Sequence, residues 1–363
     1  CEVASLEELE QALAAGADYA LLLNNDTVID PGCIAELVAH AERDETIGAL
    51  APKLLLYDMP ELINSIGLEA SYIGAAWDRG LGRLDDARWD EVIAVPGVCG
   101  AGYFLRMAAV RKAGLLAAEF EIFLDDYDHG LRIWEAGYRI ETCPRARIRH
   151  KYGATVGRIG ARKYYLNTRN RFRVMERNFP WSKAGKFLPA VIRGEFRAVG
   201  RALLDGEFGR VWAHKRAWLS ALAYVNKARA FRRAHPADGD PYWELLRGDK
   251  LFFPGGGFRE RGWYRSREVD GLRLRPMSKF AHYMHEAGKL RVVSVQPFAA
   301  LGAVDVRVER EGEVVAEFGN DGREERVIDL PRCELVFKSE RIFFAEETGE
   351  SIDIGGWFLL EPC

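Results

Sequence analysis

The chain has 363 residues, 48% hydrophobic and 29% charged, with a net charge of −3. That is an ordinary globular composition with room for roughly two domains, and its charge excludes a general attraction to nucleic acid. Six cysteines (Cys1, Cys33, Cys99, Cys143, Cys333, Cys363) form no CxxC pair. This argues against a zinc ribbon or a dense disulfide framework and for reduced thiols in a cytoplasm. No apolar run approaches the roughly 18 residues that span a bilayer, and no signal peptide is recognisable. The chain starts at Cys1 with a helix that feeds a buried strand at once, so a fragment of a longer chain is expected.

Ser5 and Glu8 have the spacing of a capping box for a helix running to about Ala15, which Gly16 ends. Tyr19 to Asp26, YALLLNND, then reads as a short buried parallel strand. Asn24, Asn25 and Asp26 fall at its carboxyl end, where ligands bind in open α/β sheets; plain turn chemistry also favours Asn and Asp there. Asn25-Asp26-Thr27 is a glycosylation sequon as well, discounted at a buried strand end. Asp30 and Pro31 should open the helix CIAELVAHAER. Ile47 to Leu56 is a second strand. Ile63 to Asp86, rich in glycine, reads as loops or a β-ribbon. Val92 to Arg106 reads as strand, glycine turn, strand, with Gly97, Gly100 and Gly102 permitting a ligand to lie close to the backbone or simply making a hairpin. Met107 to Ala113 is a short helix ended by Gly114.

Phe120 to His150 carries the strongest chemical signal. Asp125 and Asp126 lie at the expected start of the helix DYDHGLRIWEA, which Gly137 ends. One of them should serve as N-cap, and the helix dipole should keep a carboxylate there ionised, as a general base requires. Three acids within four positions, Asp125, Asp126 and Asp128, repel one another and call for a cation or a bound ligand. YRIETCP and RARIRH read as two strands, the second delivering His150, a ligand candidate or a structural histidine. Ala161 to Pro180 is a basic, aromatic helix whose Arg162, Arg169, Arg171 and Arg173 could face phosphates or solvent. From Trp181 to about Arg233 the pattern is helical, basic and amphipathic, suited to an anionic membrane surface or to packing on a neighbouring domain.

His235 to Pro241 reads as a linker. Beyond Gly248 come six short strands at near-regular spacing, the signature of a small antiparallel sandwich. Trp263, Tyr264 and Trp357 could stack on sugar or fill its core. Three parts follow: an incomplete catalytic domain over 1–180, a helical segment and linker over 181–247, and an accessory β-sandwich over 248–363.

LLLNNDTVIDPG, GAGYFLRMAAVRKAGLL, FLDDYDHGLRIWEAGYRI, ARIRH and YYLNTRNRF occur in that order over about residues 15–180. Together they resemble the inverting family 2 glycosyltransferases of the GT-A fold. The resemblance implies an α/β, Rossmann-like nucleotide-diphospho-sugar transferase domain. Asp26 would occupy the terminal position of a DXD-like metal motif and His150 would complete the metal site, with Asn24, Asn25 and Asp26 on the donor. Asp126 would be the base, Asp125 its partner in the acidic pair, and Gly100, Ala101 and Asp128 would lie on the acceptor side. The first half of the family's nucleotide-binding region has no counterpart here, Leu116-Ala117-Ala118 replaces the usual FDE, and Asp125 replaces the commoner glutamate. The DDxDxGLR form is similar to the galactofuranosyltransferase branch.

A departing diphosphate needs its charge offset, which a divalent metal, Mn2+ or Mg2+, supplies, with a histidine ligand leaning toward manganese. The expected partners are a UDP- or dTDP-sugar and a glycan or lipid-linked acceptor, with no nucleic acid. The expected place is cytoplasmic, with peripheral contact at the inner face of the plasma membrane, in bacterial surface-polysaccharide synthesis. Two other functions stay open: a nucleotidyltransferase on a similar scaffold, and a non-catalytic glycan-binding or scaffolding protein.

Overall fold

The computed structural model describes residues 2–3, 6–151, 161–236, 239–247, 263–264, 266–269, 271–278, 280–296, 304–320, 322–340 and 355–362. The chain divides into two compact units. One comprises Cys1–Tyr57, Ser65–Arg79 and Ala87–Phe253; the other comprises Asp58–Asn64, Gly80–Asp86 and Pro254–Cys363.

The first elements are β1 (Glu2–Val3), α1 (Leu6–Ala14), β2 (Tyr19–Leu23), β3 (Thr27–Ile29), α2 (Cys33–Ala41), β4 (Ile47–Leu56), β5 (Met59–Ser65), β6 (Leu68–Ala70) and β7 (Ala76–Asp78). They are followed by β8 (Gly102–Arg106), α3 (Met107–Ala113), α4 (Asp125–Glu135), β9 (Arg139–His150), α5 (Ala161–Asn178), α6 (Trp181–Ala184), α7 (Leu188–Leu204) and α8 (Phe208–Ala234). The main sheet of the first unit runs β1-β2-β8-β4-β9-β3. It is mixed: β2 is parallel to β1 but antiparallel to β8, and β4 is parallel to β9. The parallel strand expected at Tyr19 is therefore parallel on one side only. β4 is buried along its whole length, as a largely apolar strand in a sheet covered on both faces should be, and its one charged residue, Lys53, is paired with Asp90 at 2.6 Å.

Three local expectations are corrected. Asp30 does not cap α2; Gly32 does, in the left-handed region, while the Asp30 carboxylate receives Arg149 at 3.0 Å. Val92 to Ala101 forms no strand, so there is no hairpin; only Gly102–Arg106 is extended in the sheet. The two strands expected between Tyr138 and His150 are one, β9, whose register against β4 shifts after Pro52, as a bulge shifts it. The His235–Pro241 linker leads straight into a short 3-10 turn, Pro241–Leu245, whose Tyr242 and Trp243 are buried. The capping residue proposed at Ser5 lies outside the described residues. The ribbon expected between Ile63 and Asp86 is present as the β6–β7 pair.

Helices α4, α5, α6 and α7 share one core with Phe120, Leu131, Val174, Phe179, Val191 and Trp243, and α8 lies against α5, where Arg177 donates to the Tyr224 hydroxyl at 3.1 Å. The helical stretch after Trp181 is thus packed into the first unit.

The second unit contains β10 (Arg267–Val269), β11 (Leu272–Met277), β12 (Phe280–His285), β13 (Gly288–Val295), β14 (Val304–Arg310), β15 (Glu313–Asn320), β16 (Arg323–Leu330), β17 (Cys333–Ser339) and β18 (Gly356–Pro362). They form two antiparallel sheets, β10-β11-β18-β13-β16 and β12-β17-β14-β15. Val292 and Phe358 from the first sheet meet Val308 and Phe337 from the second in a shared core. This is the expected sandwich, with β10, β11 and β12 added to what the spacing predicted. Trp263, Tyr264 and Trp357 are all buried, so they fill the core and offer no ring for stacking.

Candidate active site

Several segments of the first unit end at one cavity of about 470 Å³, lined among others by Asn24, Asp78, Gly100, Asp125, Asp126 and His150. Each arrives there for a local reason. After β2 the chain turns sharply: the Thr27 amide and hydroxyl donate to the Asn24 carbonyl at 3.2 and 2.7 Å. That turn sends the chain back into β3, where Thr27 pairs with His150 of β9. Turn chemistry and site are therefore the same feature. The turn brings Asp26 Oδ1 to 3.3 Å from His150 Nε2. Asn25 is exposed and not part of the cavity wall, and Asp26 joins the site through His150.

His150 is 8% exposed. Burial lowers its pKa against the pull of Asp26, which leaves a neutral imidazole able to ligate a metal. One carboxylate oxygen and one neutral ring nitrogen suit a divalent cation that takes its remaining ligands from elsewhere. Among the described residues no third His, Cys, Asp or Glu joins them as a cluster. The donor set thus fits an open two-ligand site and not a closed structural one.

Asp125 and Asp126 reach the same cavity from the start of α4. Neither is the N-cap: that is Leu124, left-handed at φ 62°. Asp126 Oδ2 accepts the Gly100 N–H at 2.9 Å and Oδ1 accepts the Tyr127 N–H at 2.8 Å. Gly130, one turn on, lets the helix press close to the preceding loop, since a Cβ there would meet Gly97 Cα and the Pro96 oxygen at 2.8 Å. Gly97 therefore serves packing, while Gly100 and Ala101 line the cavity. The dipole does not keep Asp126 acidic. Burial and the neighbouring Asp125 push it up to about 8, against the Gly100 and Tyr127 amides, with Asp78 adding to the rise. Asp125 is also raised, chiefly by burial. Desolvation outweighs the roughly 0.3–1 kcal/mol that a helix terminus offers.

Asp128 goes elsewhere. Its side chain is fully buried, with Arg132 Nε at 3.0 Å, Arg177 Nε at 2.9 Å and Asn178 Nδ2 at 2.9 Å. Burial works to raise its pKa, but the two guanidinium groups outweigh it and hold the carboxyl below its usual range. It lines no part of the cavity, so the acceptor-side placement is corrected. Three acids do converge, but the third is Asp78, at the end of β7. Burial raises its pKa, against hydrogen bonds with Ser65 and Cys99. The sequence signal was the Trp77-Asp78 pair closing a glycine-rich ribbon; Trp77 also lines the cavity.

The loop that presents Asp125 and Asp126 is strained. Glu121, Phe123 and Leu124 all have positive φ, at 66°, 73° and 62°, and the Ile122 N–H donates to the Phe120 carbonyl at 2.9 Å in a tight γ-turn. Such non-glycine residues cost about 1–3 kcal/mol each unless their surroundings enforce them. Asn170 of α5 does so. Its amide nitrogen lies 2.8, 2.9 and 2.8 Å from the carbonyl oxygens of Phe120, Ile122 and Phe123. Arg169 donates to the Asn170 side-chain oxygen at 2.9 Å, to the Phe120 carbonyl at 2.8 Å and to Glu121 at 2.6 Å. The other α5 arginines are likewise engaged within the protein: Arg162 with Glu121, Arg171 with Glu195, and Arg173 with the Glu119 carbonyl. The phosphate-facing reading of these arginines is corrected. An asparagine within a run of helical arginines, where its propensity is poor, was the signal for the clamp.

Residues 19–228 match the model of the glycosyl transferase family group 2. The chain belongs to that family. The matched stretch takes in both β2 and α4, and so the whole cavity described above. No curated protein matches the chain. Among solved structures it is similar to the crystal structure of GalNAc-T7 with UDP, GalNAc and Mn2+, at 14% identity and a TM-score of 0.42, covering 66% of this chain and 42% of that one. The chain thus spans less than half the length of that protein, and the likeness is too distant to carry function. The mixed α/β unit and the antiparallel sheets after it are the architecture the family resemblance implied.

Proposed function

We propose that the chain transfers a sugar from a nucleotide-diphospho-sugar, a UDP- or dTDP-sugar, to a hydroxyl of a glycan or lipid-linked acceptor, with inversion. The observation that carries this reading is the single cavity in which Asp126 and His150 both lie, one a base of raised pKa and the other a neutral ligand beside Asp26.

Asp126 acts as the base. Each of its oxygens holds one backbone N–H and keeps a lone pair. It takes the proton of the acceptor hydroxyl as that oxygen bonds to the anomeric carbon, and the carbon–diphosphate bond breaks on the opposite face with its electron pair. Asp26 and His150 would hold a divalent cation, Mn2+ or Mg2+, which when bound supplies positive charge toward the leaving diphosphate. Burial first, then Asp125 and Asp78, keeps the Asp126 proton affinity high, so the base is strong once ionised. The family resemblance alone supports the finer reading of a cytoplasmic step in bacterial cell-surface polysaccharide synthesis.

Calorimetric titration of UDP, GDP and dTDP, with and without Mn2+, tests the donor half. One nucleotide should bind only with the metal, and Asp26→Ala or His150→Ala should abolish that dependence. If no nucleotide binds to folded protein under either condition, the reading fails.

A further inference from the structure

Helices α7 and α8 carry an unusual surface. Leu188, Ile192, Phe196 and Leu203 of α7 are 48%, 48%, 67% and 50% exposed, and their spacing places them on one helical face. Arg193, Arg197 and Arg201 recur at four-residue steps beside that face and are exposed. On α8, Phe208, Trp212, Leu219 and Leu222 are also exposed, again at helical spacing. Further along the same face come Arg229 and Arg233. The turn joining the helices exposes Leu204 at 86% and Phe208 at 71%.

Charge marks what this face meets. Residues 181–234 hold twelve lysines and arginines against three acids, in a chain of net charge −3. All three acids are already matched. Glu195 is buried against Arg171 and His214, and Asp205 and Glu207 at the turn pair with Arg201 and Arg210. Among the described residues, Arg193, Arg197, Arg229 and Arg233 pair with no carboxylate, and no helix is long and apolar enough to cross a membrane.

We propose that the α7–α8 hairpin lies on an anionic lipid surface, its turn and apolar faces in the headgroup layer and its arginines on lipid phosphates. Exposed aromatic and aliphatic side chains bordered by arginines are what an in-plane interfacial helix requires. A protein partner would match the apolar area but gives no reason for so one-sided a charge. The inference is independent of the transfer reaction.

The test is co-sedimentation of the full chain with vesicles of phosphatidylcholine alone and of phosphatidylcholine mixed with phosphatidylglycerol. Wild-type protein should bind the mixed vesicles, and salt should weaken the binding. Leu204→Glu/Phe208→Glu and Arg193→Glu/Arg197→Glu should each reduce it by on the order of tenfold or more, with unchanged circular dichroism. All these side chains are exposed, so folding should survive. Equal binding by wild type and both variants, or no binding of wild type to mixed vesicles, overturns the proposal. So does a wild-type dimer, seen by light scattering, that Leu204→Glu/Phe208→Glu dissolves, which would assign the face to a second copy.

Discussion

Asp126 and Asp128 sit two residues apart in the first turn of one helix, and their environments have opposite effects. Asp126 opens into a cavity, receives only backbone amides and is pushed up to about 8. Asp128 points into the interior, is held by Arg132, Arg177 and Asn178, and has its pKa lowered. Helical position alone would treat them alike. What separates them is the partner each meets: desolvation without a counter-charge favours the neutral acid, while two buried guanidinium groups favour the anion. A carboxylate with a high proton affinity suits the proposed base; one locked between arginines holds α4 to α5.

The widest gap between the two should appear on removing each charge. Asp126→Asn should lower the transfer rate by about 10²–10⁴-fold while leaving nucleotide affinity nearly unchanged, measured by turnover and calorimetry. Asp128→Ala should instead cost about 3–5 kcal/mol of stability, because Arg132 and Arg177 lose their buried counter-charge, measured by denaturant unfolding. Equal behaviour of the two variants would break the distinction. Next in size is the clamp. Asn170→Ala removes the amide that spans the Phe120, Ile122 and Phe123 carbonyls of the strained loop and should cost about 1–3 kcal/mol, with a lower turnover number and little change in donor affinity.

Two smaller effects sharpen the comparison through pH. The base works ionised, so kcat/KM should climb as pH rises through a pKa near 8. Because Asp78 contributes to that rise, Asp78→Asn should move the ascending limb to lower pH. A limb that stays in place would remove Asp78 from the electrostatics of the site.

Much of this was legible in the sequence, and the losses have physical causes. β4, α3 and α4 follow from apolar periodicity and glycine stops, and Asp26, Asp125, Asp126 and His150 from acids and a histidine at element ends. Asp128 was misplaced because spacing cannot tell which acid meets the distant Arg177. Asp78 and Asn170 were missed because their roles depend on neighbours brought together from across the chain. The ionisation of Asp126 was misjudged because the helix dipole is a sequence-local term, whereas burial is a property of the folded site.

The most direct test needs no substrate: thermal unfolding of wild type, Asp126→Asn and Asp128→Asn at pH 6 and pH 9. A carboxyl whose folded pKa is raised contributes stability below its unfolded pKa and loses it as pH rises through the folded value. One whose folded pKa is depressed contributes above the unfolded pKa and loses that only in acid. Asp126→Asn should therefore gain in midpoint over wild type on going from pH 6 to pH 9. Asp128→Asn should fall below wild type at both. If Asp126→Asn instead loses stability at pH 9 as Asp128→Asn does, Asp126 is a paired structural anion and the assignment of the base is wrong.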